Sequence, residues 1–166
     1  MSRAPWSERP AEEARLLNPA FLALLIWACA RGYAAKRGAG IPFPLLFLVI
    51  PAVLHRETRE SLPRAVSAQL PAWLDTHPHL LVRLAERATA LVPLVREGVL
   101  FGAHGGLLEV FAEGISAGPR PRTMAAYLKD ATDEVRDCVK KAELVGKWFA
   151  RSGEYSTVMA LWGVAP

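Results

Sequence analysis

Little in this chain looks like chemistry. Neither a GxxxxGK[ST] nor a GxGxxG loop occurs in its 166 residues. The one glycine-rich stretch, residues 102–106 (GAHGG), follows a helical pattern instead of opening a helix, so it lacks the setting of a phosphate cradle. Cysteine is scarce. Cys29 and Cys138 each sit in an apolar helical pattern with no CxxC beside them, which favours two buried reduced thiols over a disulfide or a metal site. Of the four histidines, His77 and His79 flank Pro78 near Asp75, with no second ligand pair in view. His55 and His104 have no Ser or Cys nucleophile next to them. The carboxylate pairs Glu12/Glu13 and Asp133/Glu134 fall at helix starts, where the helix dipole accounts for them.

Long apolar runs are missing too. Residues 20–30 (AFLALLIWACA) stop at Arg31, and residues 41–54 are broken by Pro42, Pro44 and Pro51. A membrane span needs about 20 apolar residues, so the reading is no membrane. The first residues, MSRAPWSERPAEEARLL, carry acids and no apolar centre, unlike an export signal. The expectation is a cytoplasmic protein. Net charge is only +4, which permits contact with nucleic acid without arguing for it.

What is present is hydrophobic. Apolar residues make up 52% of the chain and charged ones 22%, the balance of an ordered globular domain. The fold class expected is mainly α: a compact helical domain over residues 16–166, a small β-hairpin near 106–118, and an N-terminal extension over 1–15. Asn18-Pro19 opens a helix that stops at Arg37-Gly38 and is apolar all round, hence central. Pro44 leads into a second helix, 45–54, bent at Pro51. A charged tract, His55–Glu60 (HRETRE), follows. Residues 66–74 form a short amphipathic helix. A long helix starts at Thr76-His77-Pro78, carries Leu81, Leu84, Ala85, Ala88, Val92, Val95 and Val99 on one face, and is kinked or divided by Pro93. Alternation around Glu113-Gly114 gives the hairpin, and 119–122 a loop. The last long helix, 132–151, is capped by Thr132. Helix followed by hairpin over 81–118 has a winged-helix outline.

Two surfaces stand out. In the last helix, Val135, Cys138, Val139, Ala142, Val145 and Phe149 make one apolar stripe, while Leu144 and Trp148 point near the opposite side. That second face needs cover, either from the tail around Met159–Trp162 or from another protein. Leu144, Trp148 and Trp162 are therefore candidate partner contacts, joined by Arg56 and Arg59 of the charged tract. Arg120 and Arg122 are the best candidates for touching phosphate. Glu109 and Glu113 on the hairpin would repel it, so any DNA contact is indirect. No residue is singled out as catalytic, cofactor-binding or metal-ligating.

Several segments taken together resemble a family. They are LLNPAF (Leu16–Phe21), IPFPLLFLVIPAVLH (Ile41–His55), TRESLP (Thr58–Pro63), Trp73-Leu74, Arg87-Ala88, and KAELVGKWFARSG…WGVAP (Lys141–Gly153 and Trp162–Pro166). They look like the middle component of bacterial three-component ABC conflict or antiphage systems, over residues 16–166. The resemblance implies a non-enzymatic accessory subunit in an oligomeric complex. It would couple an SMC/Rad50-like ABC ATPase to an effector component. It implies no cofactor and carries no catalytic residue with it. The alternatives are a winged-helix DNA-binding regulator and an enzyme whose site gathers scattered His and Glu residues.

Overall fold

A computed structural model describes residues 17–164. The expected N-terminal extension, 1–15, lies outside the described residues. The first helix, α1 (Pro19–Arg37), has the limits its caps dictate. Asn18 Oδ1 accepts from the Ala20 N–H at 2.8 Å, Pro19 sits in the first turn, and Gly38 takes a left-handed conformation at φ 70° while its N–H bonds the Ala34 carbonyl. Residues 22–30 are buried on every side. A helix apolar all round must be central, and α1 runs between the two long helices α6 (Leu84–His104) and α8 (Asp133–Arg151).

The α1–α8 contact is made backbone to backbone. A methyl group at Gly32 would run into the Glu143 carbonyl. One at Gly146 would run into the Cys29 carbonyl and crowd the Tyr33 nitrogen. Only glycine lets the two axes come this close. On the other side of α1, Gly98 of α6 lets the Leu22 side chain in.

A 3-10 turn (Phe43–Leu45) leads into α2 (Leu46–Leu54), and α3 (Arg56–Ser61) follows at once. The two-stranded antiparallel sheet pairs β1 (Leu108–Phe111) with β2 (Gly114–Ala117), Val110 facing Ile115. It is tied to the body twice. Ile41 and Ile115 exchange N–H···O bonds of 2.8 Å each, and the buried Trp27 Nε1 donates to the Gly118 carbonyl at 2.9 Å. Leu108 and Ile115 face inward, while Val110 and Phe111 extend past the core.

The expected class, mainly α with one small hairpin, is what the chain forms. Several bounds differ. The short helix expected at 66–74 is α4 (Leu70–Thr76), because Pro71 belongs in a first turn and not mid-helix. The long helix breaks at Arg83, whose φ of 63° is left-handed. This leaves α5 (Pro78–Leu81) as a separate turn, with α6 beginning at Leu84. Pro93 does not end α6. The carbonyl it deprives of a partner, that of Thr89, lies on an exposed turn where water can reach it. A helix not foreseen, α7 (Met124–Asp130), has its end closed by Arg136, which donates to the Leu128 and Ala131 carbonyls. Thr132 caps α8 as expected, Oγ1 accepting from the Val135 N–H at 3.3 Å. The tail forms α9 (Tyr155–Leu161).

The two cysteines are free and buried, and burial pushes the Cys29 thiol up, away from thiolate chemistry. The close approach gives a direct test. Gly146→Ala should lower stability by at least about 1–3 kcal/mol, the usual range for an overpacked core position. A reduced urea midpoint with unchanged slope would register it, and an unchanged midpoint would disprove the backbone contact.

Candidate functional site

Of the residues marked for partner contact, Arg59 is only 4% exposed and spends its whole guanidinium inside the chain. Nε donates to Asp137 Oδ2 at 3.0 Å, Nη2 to Glu134 Oε1 at 2.8 Å, and Nη1 to the Val53 carbonyl at 2.9 Å. The carboxylates come from the start of α8 and the carbonyl from the end of α2, so Arg59 locks α3 between them. Arg56 stays on the surface, paired with Glu60 at 2.7 Å.

The two-faced helix α8 is covered from within. Trp148 is 0% exposed. Trp73 of α4 meets it edge-on at 5.2 Å, and Trp148 Nε1 donates to the Ala68 carbonyl at 2.7 Å. Trp162 is also buried, with Trp73 at 5.8 Å and Phe149 at 6.0 Å. Leu144 remains half-buried at the surface. Arg120 and Arg122 are exposed in the loop before α7.

Three of the four histidines have side-chain neighbours within the fold. His77 stacks on Trp73 at 4.5 Å, and His79 lies 3.9 Å from Glu57. His104 is exposed at the end of α6. His55 caps α3, its Nδ1 accepting from the Thr58 N–H at 3.4 Å and lying 2.9 Å from Thr58 Oγ1. Burial first, then the nearby Arg87, hold the imidazole below its usual value. Among the described residues no three His, Cys, Asp or Glu side chains gather as a metal site.

An apolar groove of about 730 Å³, which the apolar stripe of α8 does not point to, opens on another part of the surface. It lies between the second half of α6, the hairpin tip, the 3-10 turn and the start of α9. Phe43, Leu100, Phe111 and Tyr155 line it, with Val99 and Ile115 beneath, and Arg96 and Glu113 are its only charged members. Leu100 is 70% exposed and Phe111 54%. Phe101 and Val110 widen the apolar surface beside them. Side chains of this size left outward in a cluster mark an interaction surface. The signal was available in sequence. The inward stripe of α6 ends on Val99, so Leu100 and Phe101, turned about 100° and 200° from it, cannot both be inside.

Two predictions follow from these placements. Arg59→Met keeps the stem but leaves the Val53 carbonyl with only the weak Cys138 thiol donor at 3.9 Å and takes the cation from two carboxylates. It should cost about 1–3 kcal/mol of stability in a urea titration, and Arg59→Lys should fall short as well, since an ammonium cannot serve all three acceptors. For His55, the lowered folded value means that the unfolded chain takes up the proton first. The cap's contribution is full above about pH 6.5 and declines below it. His55→Asn, which keeps a capping acceptor, should lose less stability than wild type between about pH 7.5 and 5.5. Equal losses would show that His55 is not responsible.

No curated protein and no solved structure matches the chain. The family model that does match is described as ABC-three component (ABC-3C) system Middle Component 3, and it runs over residues 6–166. That span takes in every element that builds the groove, and the chain belongs to this family of middle components.

Proposed function

We propose that the chain is a non-catalytic accessory subunit of a cytoplasmic bacterial defence system, coupling an SMC/Rad50-like ABC ATPase to an effector component. The single observation that carries this reading is the apolar groove beside α6 and the hairpin, in a chain where His55, Arg59 and Trp148 are engaged in holding segments together. Its occupant is an apolar segment of another component of the same system. The family description places the chain among the components of a larger system, and the groove gathers large apolar side chains left facing water. Arg96 and Glu113, of opposite sign on its border, would set the orientation of that segment more than its affinity. The work done is mechanical. Docking holds the effector silent, and a nucleotide-driven change in the ATPase reaches it through this subunit.

Co-expression with the ATPase and effector encoded beside it, followed by size-exclusion chromatography, tests the reading. The wild-type chain should co-elute with a partner. Leu100→Asp and Phe111→Asp should each elute alone while melting close to wild type, because exposed substitutions typically move stability by no more than about 0.5 kcal/mol. Absence of any wild-type complex would sink the function. A complex that survives both substitutions together would sink the site.

A further inference from the structure

A second groove, of about 560 Å³, shares no lining residue with the first and lies where the end of α1, residues 64–66 and the middle of α8 meet. Four of its lining residues are cations: Lys36, Arg64, Lys140 and Lys147. Its one acid, Glu143, is held by Lys147 at 2.6 Å. Lys36, Arg64 and Lys140 are exposed and make no ion pair among the described residues. Lys36 also suits the negative end of α1, which leaves Arg64 and Lys140 as the cations without a structural use. The floor is apolar, formed by Leu144 with Val66 and Ala65. The wall is fixed in advance. Trp148, one turn beyond Leu144, bonds the Ala68 carbonyl and so pins the segment carrying Arg64 and Val66 against α8.

We propose that this groove docks an acidic peptide segment of a protein partner, with an apolar side chain seated on Leu144 and carboxylates around it. The inference goes beyond the apolar groove and stands whether or not that site is used. Charge complementarity names the partner's sign, and the floor decides its class. A phosphate backbone has no apolar part to place on Leu144. An amphipathic acidic segment satisfies rim and floor together. The exposed Arg120 and Arg122 do not extend the patch into a nucleic-acid track. Their loop borders the first turn of α1, with Pro121 and Thr123 beside Asn18 and Ala20, whereas Lys36 lies at its far end, about 25 Å along the helix.

The test is fluorescence anisotropy with the full chain at low and at physiological salt. The probes are a labelled glutamate-rich peptide with leucine at helical spacing, the same peptide with serine for leucine, and a short duplex DNA. The leucine peptide should bind most tightly and weaken with salt. The double variant Arg64→Glu, Lys140→Glu should weaken it about tenfold, the sum expected for two exposed charge contacts. Leu144→Ser should abolish the preference for leucine over serine, while circular dichroism confirms that both variants fold. Three outcomes each overturn the proposal: no binding of the leucine peptide by wild type, equal binding of both peptides, or duplex bound in preference to peptide.

Discussion

The structure depends on two glycines facing two carbonyls. Gly32 of α1 and Gly146 of α8 admit the other helix's backbone, at Glu143 and Cys29 respectively. Dispersion is short-ranged, so two helices in backbone contact gain from atoms that longer side chains would keep apart. The approach also fixes relative position. A slide along either axis would bring a Cβ where a glycine now stands. Because α1 is apolar on its whole circumference, the faces left over by α8 must be filled as well. The long helix α6 and the hairpin take them, with Gly98 and Trp27 as the points of attachment.

The irregular segments are then tethered by single polar atoms inside an otherwise apolar body. Trp27 reaches Gly118, Trp73 reaches the Ser61 carbonyl at 3.2 Å, Trp148 reaches Ala68, and Arg59 reaches Val53. Each is a donor on a long or flat side chain meeting a carbonyl that its own segment cannot satisfy. A buried carbonyl left bare costs about 1–3 kcal/mol, so these bonds work chiefly by removing that penalty. They also explain why Trp27, Trp73 and Trp148, despite their bulk, sit in this core: indole supplies area and one donor together.

How much of this was legible depended on whether the cause was local. Asn18-Pro19, Gly38 and Thr132 act within one turn, and the helix limits they set were readable from the residues. The break at Arg83 was not, because a left-handed arginine is imposed by the packing around it and has no composition of its own. Helix α7 depends on Arg136 closing its end from α8. Arg59 shows the same gap from the other side. In the tract HRETRE it looks like one more surface charge, and only the fold brings Glu134 and Asp137 to it. Asking which apolar side chains lie off the buried stripe singled out Leu144 and Trp148. It does not say whether the chain covers them: Trp148 is inside, and Leu144 is half out. Put to α6, the same question finds Leu100 and Phe101, which stay outside.

With both grooves occupied, the links between them are short. The last turn of α1 carries Lys36 into the basic groove. The next residue, Arg37, holds Glu154 at 2.5 Å, and Glu154 precedes Tyr155, which lines the apolar groove. That ion pair is exposed and adds little energy. The rigidity comes from α1 itself, fixed against α8 at Gly32, one turn earlier. A partner pulling on one groove therefore moves the other as part of the same body, without a second arrangement of the core. Coupling by a subunit built this way transmits position and orientation.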